Sequence, residues 1–179
     1  MSALVFRAGP LLCALRLDEV IETMRPLDVQ PLAGTPAFVL GISVLRGVPT
    51  PVIDVARLLS GGSGAQEGAE SGVAGSGGAD SGRADSGRAE RGGADSGGAE
   101  RFVAVRTERG AVAFAIGTVL GIRTVDASAT GGHPALLGAR SSHLVAGVSA
   151  VGTEPLLLLQ SMRAVPDEVW EAAAAAGVP

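Results

Sequence analysis

Apolar residues in this chain come in short runs, broken by a turn signal every 6–12 residues. That spacing leaves little room for helices and argues for many short strands, the pattern of an all-β barrel or sandwich. Residues 3–8 and 11–17 predict two strands joined at the turn dipeptide Gly9-Pro10. Glu19–Met24 is a third segment and ends before Pro26. Leu27–Leu32 contains Pro31 and predicts a loop or edge segment, and Thr35–Phe38 a helical turn or an extended lead-in. Val39–Leu45 and Val52–Val55 carry the strongest strand signals, with prolines 49 and 51 before the second, and Ala56–Leu59 predicts a short helical turn. Further on, Phe102–Arg106 and Val112–Ile116 predict a hairpin across Glu108-Arg109-Gly110, and Val119–Val125 another strand. Asp126–Pro134 reads as a polar loop, and His143–Val151 with Pro155–Leu159 as a last strand pair turning at Gly152-Thr153. A C-terminal helix is expected over Val165–Ala176. Pro166 suits its first turn, Asp167 and Glu168 favour the positive end of its dipole, and Gly177 stops it.

Residues 60–100 have a different character. From Ala79 the chain repeats at about five residues (ADSGR, ADSGR, AERGG, ADSGG, AER), and Val73 is the one large apolar residue in the stretch. Such a segment cannot bury enough apolar surface to offset its chain entropy, so it predicts a disordered linker. Gly does not recur every third residue, which excludes collagen, and the nine-residue repeat of a calcium-binding β-roll is absent. A Gly-rich coil of roughly 40 residues spans about 35 Å r.m.s. and does not constrain what it joins. Loop length costs stability only logarithmically, so an insertion of this kind is tolerable. Deleting residues 62–99 is expected to leave one cooperative thermal transition; loss of that transition in a melting scan would overturn the linker reading.

Composition closes off several function classes. The net charge is −4, and residues 60–100 carry seven acids against three arginines, so the remainder is neutral. All 14 basic residues are Arg, scattered rather than clustered, which argues against nucleic acid as a partner. Cys13 is the single cysteine, so no internal disulfide and no Cys-based metal site can form, and its place in the run Leu11–Leu17 predicts a buried inert thiol. Leu12 before Cys13 is too large for a lipoprotein processing site, and Arg7, Gly9 and Pro10 break the preceding run. There is no run of 18 or more apolar residues, so no membrane insertion is expected and the default location is cytoplasmic. His133 and His143 stand outside any nucleophile elbow, and two histidines ten residues apart do not make a metal set. Gly131-Gly132 opens no phosphate loop. Neither a catalytic constellation nor a cofactor pattern is present, and the chain does not read as an enzyme.

The stretch Thr35–Asp54, TPAFVLGISVLRGVPTPVID, contains the one unusual placement of a charge. Arg46 stands beside Gly47 between apolar strands, where a long cationic side chain must snorkel outward or find a specific partner. Pro31, Pro36, Gly41, Leu45-Arg46-Gly47 and Val52-Ile53-Asp54 follow, in order and spacing, the signature of the CheW family, the coupling proteins of bacterial chemosensory arrays. Upstream, Val20-Ile21-Glu22 is similar to the family's V-x-E segment, and Arg101–Val125 with His143–Met162 resemble its second half. The resemblance spans nearly the whole chain except residues 60–100.

The resemblance implies two small five-stranded SH3-like barrels packed around a shared apolar core. Residues 1–59 and 101–179 would be the two parts of the domain, with the insertion between the strands of one barrel and those of the other. It also implies a non-enzymatic adaptor that joins the cytoplasmic tip of methyl-accepting chemoreceptors to the regulatory domain of a CheA-like histidine kinase. Carried over by position, the partner-binding residues are Val20, Glu22, Gly41, Arg46 and Gly47. Each has a structural alternative: an ordinary ion pair for Glu22 and Arg46, a bulge or close backbone approach for Gly41, a turn for Gly47. The chain departs from the family at Val44, commonly Asn, at Pro49 within a usually unbroken strand, and at Gly117 and Gln160, often Asp. Those departures leave room for a divergent adaptor in a non-motility pathway. A β-barrel ligand binder or enzyme is disfavoured by the lack of convergent polar residues.

Overall fold

The computed structural model describes residues 1–60, 99–126, 144–160 and 165–176. They form β1 (Ser2–Ala8), β2 (Leu11–Arg16), β3 (Val20–Met24), β4 (Val39–Leu45), β5 (Val48–Asp54), α1 (Val55–Leu59), β6 (Arg101–Thr107), β7 (Gly110–Ile116), β8 (Val119–Thr124), β9 (Val145–Val151), β10 (Glu154–Leu159) and α2 (Asp167–Ala176). The strands build two five-stranded sheets, one in the order β8-β1-β2-β10-β9 and the other β3-β6-β7-β5-β4. Neighbours are antiparallel except for β2 with β10 and β5 with β7.

The near-continuous apolar runs make sense because most strands are buried on both faces. In β1, Leu4, Phe6 and Ala8 face one cluster while Ala3 and Val5 face another. In β6 and β7, Val103, Val105, Val112, Phe114 and Ile116 share the first cluster, and Phe102, Ala104, Ala113 and Ala115 belong to a third. This period of two is the pleat of the strand. The second and third clusters each draw on one sheet, so each sheet curls around its own interior, as SH3-like subdomains do. The first cluster draws on both sheets and is the shared core. Helix α2 seals that core with Val169, fully buried, and Trp170 packed beside it. Arg109, at the β6–β7 turn, pairs with Asp167 and lies 6.0 Å over the Trp170 ring.

Two differences from the sequence reading stand out. The chain was expected to complete one barrel before residue 60 and the other after residue 100. The sheets are interleaved instead: β1 and β2 are completed by β8–β10, while β3–β7 make the other sheet. The segment after α1 therefore joins β5 to β6 inside a single sheet, because β2 finds its parallel partner only in the last strand. The expectation that residues 60–100 are disordered falls, apart from its edges, outside the described residues, as do His133, His143 and most of the Asp126–Pro134 loop.

The second difference is that β5 starts at Val48 and takes in both Pro49 and Pro51. Leu45 and Val48 close a two-residue hairpin, so Val44–Pro49 and Ile42–Pro51 fall at non-hydrogen-bonded pairs. The missing N–H of each proline would have pointed away from β4. On that side β7 joins β5 only from Val52 onward, so no ladder bond is lost.

Candidate partner-binding site

Arg46 and Gly47 are the two central residues of the β4–β5 hairpin turn, with φ of 51° and 81°. Positive φ at both is the signature of a type I′ turn, whose twist matches that of the flanking strands. Glycine at 47 suits it; an Arg at the other position is uncommon, and Arg46 is the one non-glycine residue with positive φ among the described residues. Its backbone aims the side chain across the mouth of the sheet toward β3. There Nε donates to Glu22 Oε1 and Nη2 to Glu22 Oε2, both at 2.7 Å.

Strands β3 and β4 are the two opposite edges of their sheet and share no ladder. The Arg46–Glu22 pair therefore clasps the seam of the curled sheet. A bulge makes this possible. The register shifts between Val20, opposite Val105, and Glu22, opposite Ala104, leaving Ile21 as the extra residue. Without it Val20 and Glu22 would share a face. With it, Val20 packs on the shared core while Glu22 follows Ala104 to the other side of the strand. Half of the V-x-E segment thus serves packing and half faces the seam.

The pair is well formed but wet: the Arg46 side chain is 77% exposed and that of Glu22 29%. Glu22 accepts from the guanidinium and raises its pKa further, so Arg46 is cationic at any physiological pH. Solvent screening leaves such a pair little weight in stability. What it offers is a preorganised bidentate guanidinium whose carboxylate partner a second protein could replace.

Gly41 is of another kind. It is buried, with φ of 140°, at the register shift between Val39 and Gly41. A Cβ there would lie 2.0 Å from the Gln30 carbonyl oxygen. The structure thus brings Glu22, Arg46 and Gly47 to one corner, while Val20 and Gly41 hold the strands beneath it. Sequence reasoning left open which apolar residues face out. Beside the turn they are Val44 and Val48, 61% and 58% exposed. The hairpin register carried the signal for Val44, which sits opposite Pro49 with no strand beyond it.

In a second concavity the charged groups have local partners. A concavity of ≈ 330 Å³ includes Arg7, Asp54, Glu100 and Thr118. Arg7 pairs with Glu154, Asp54 caps α1 by accepting from the Arg57 amide at 3.0 Å, and Glu100 accepts from Thr118 at 2.7 Å. Burial pushes the Cys13 thiol up to about 12, so it stays protonated. Among the described residues no group of three or more His, Cys, Asp or Glu could hold a metal ion, and no helix is long and apolar enough to cross a membrane.

Residues 2–76 match the family model of the CheW-like domain. Over that stretch the chain is similar to the CheW-like domain. Protein FrzA of Myxococcus xanthus is 39% identical to it over 57 residues, 32% of this chain and 36% of that protein, so the match spans about a third of that relative's length. The crystal structure of scaffolding protein TtCheW from Thermoanaerobacter tengcongensis superposes with a TM-score of 0.61 at 16% identity, covering 91% of this chain and 90% of that one. The CheW-like fold therefore extends through the second half, and the two sheets described above are its two subdomains.

Proposed function

We propose that this CheW-like protein is a non-enzymatic scaffold of chemotaxis-type signalling that couples the cytoplasmic tips of chemoreceptors to the regulatory domain of a histidine kinase. The observation that carries the reading is Arg46, a cation held by Glu22 and displayed on a type I′ turn whose backbone is costly for any residue with a side chain. Exposed Val44 and Val48 add apolar surface beside it, and arginine is enriched in protein interfaces. TtCheW is a scaffolding protein, and its fold is shared along nearly the whole chain. Glu22, Arg46 and Gly47 form the contact, with Val20 and Gly41 as positioning residues. The work of such a protein is geometric: two partners are held on one rigid body, and no bond is made or broken.

Arg46→Ala tests this. It is expected to weaken binding to the kinase regulatory domain by tenfold or more in calorimetry, about what loss of a bidentate charged contact costs. The melting temperature should hardly move, since the pair it removes is solvent-screened. Unchanged affinity for both the kinase domain and the receptor tip would remove Arg46 from the site.

A further inference from the structure

The edge of β4 carries unspent hydrogen-bonding capacity beside an apolar groove. Ile42 turns its N–H and C=O away from β5 and uses both on Gln30, at 2.9 and 2.8 Å. Val44, two residues on, has the same parity, so its N–H and C=O face the same side. No strand lies there, because β4 is the edge of its sheet. The Gln30–Ile42 bridge is antiparallel, so its next rung would set Asp28 opposite Val44. The chain splays away instead. Leu27, Asp28 and Gln30 become one wall of a groove of ≈ 380 Å³, and Ser43, Val44 and Pro49 line the other.

Several groups along this groove lack partners. Asp28 is exposed and makes no hydrogen bond or ion pair with the described residues, whereas nearby Glu22 is spent on Arg46. Ser43 is 2% exposed and its hydroxyl is buried without a hydrogen-bond partner, which is rare in folded proteins. Leu27 and Val44 are 41% and 61% exposed. We propose that this groove takes an extended segment of a partner protein, added as a short strand on Val44. An apolar side chain of the segment would sit between Leu27 and Pro49, and a cationic one would answer Asp28. Main-chain bonds supply the attraction and alternate side chains the selectivity, as in other strand-addition sites. Gln30 blocks the edge beyond Val44, so the added strand gains two main-chain bonds there and its affinity alone is low. The site adjoins the Arg46 contact, shares Val44 with it, and would give a partner a second foothold.

The probe is the pentapeptide Thr-Val-Arg-Val-Thr, acetylated, amidated and labelled for fluorescence anisotropy, titrated with the full chain. Saturable binding in the range of about 0.1–1 mM is expected from two hydrogen bonds and one apolar side chain. N-methylation of the peptide backbone should weaken it at least about fivefold, and so should Val44→Pro on the protein, each removing one main-chain donor. Val44→Pro should fold, because the Val44 N–H is outside the β4–β5 ladder; if it does not, the N-methylated peptide decides. Asp28→Asn should abolish the preference for this peptide over the same peptide with Glu in place of Arg. No saturation in the millimolar range, or binding indifferent to N-methylation, overturns the proposal. The readout uses peptide alone, so its failure leaves Arg46-dependent partner binding standing.

Discussion

Gly41→Ala is expected to cost the protein more than about 3 kcal/mol of folding stability, an effect reserved for a few named mechanisms. Two of them act together here. At φ of 140° an alanine is strained whatever the space around it. The space is also missing: the new Cβ would lie 2.0 Å from the Gln30 oxygen, 2.6 Å from its carbonyl carbon and 2.9 Å from the Pro31 Cα, all backbone atoms. Relief requires the Gln30–Pro31 segment to leave the edge of β4, which breaks both Gln30–Ile42 hydrogen bonds. Gly47→Ala is the control. It has positive φ but nothing within 4 Å, so strain alone acts and the loss should be about 1 kcal/mol. Denaturant midpoints of the two variants measure the contrast. Equal midpoints would mean that the Gln30 segment yields freely.

Phe6→Ala is expected to cost about 3–5 kcal/mol and to lower the stability of both sheets together. Phe6 is fully buried in β1, and its ring sits in the cluster to which both sheets contribute. The cavity would open at the junction, where neither sheet can close over it alone. Trp170, the sole tryptophan, reports from α2, which packs on β5 and the β6–β7 turn, in the sheet that does not contain Phe6. Tryptophan fluorescence and far-UV circular dichroism should therefore shift by the same amount and remain one transition. A fluorescence transition that stays at its wild-type midpoint would show two independently stable barrels.

The strands were legible because burial on both faces writes them as apolar runs with little else inside, and Gly and Pro punctuate them. Partner choice was not legible, for the same reason. A run such as Leu156–Leu159 says that it is buried, not that its neighbour is β2, and the placement of the insertion between barrels failed on that point. The bulge beside Gly41 was signalled by the glycine itself, whereas the one at Ile21 was hidden. A one-residue change of register is decided by pairing across the sheet, and nothing in V-I-E announces that Val20 and Glu22 face opposite ways. Arg46 was legible because a charge beside glycine between apolar strands has few places to go. Its ion pair with Glu22, 24 positions away, was one of the alternatives the residues offered, and the curling of the sheet is what brings the two together. Val44 escaped although the hairpin register, which sets it opposite Pro49 at the sheet edge, carried the signal.

The interleaving of the sheets also bears on how the protein is made. A nascent chain is fed out from its N-terminus, so β1 and β2 emerge before the other described strands. The long side of β2 that will receive β10 has no neighbour until residue 159 has left the ribosome. Meanwhile the five strands of the other sheet can already assemble. Synthesis order thus leaves the N-terminal hairpin, whose two faces are both meant for burial, as the last piece to find its shelter. Through most of translation it is the part of the chain most exposed to wrong partners.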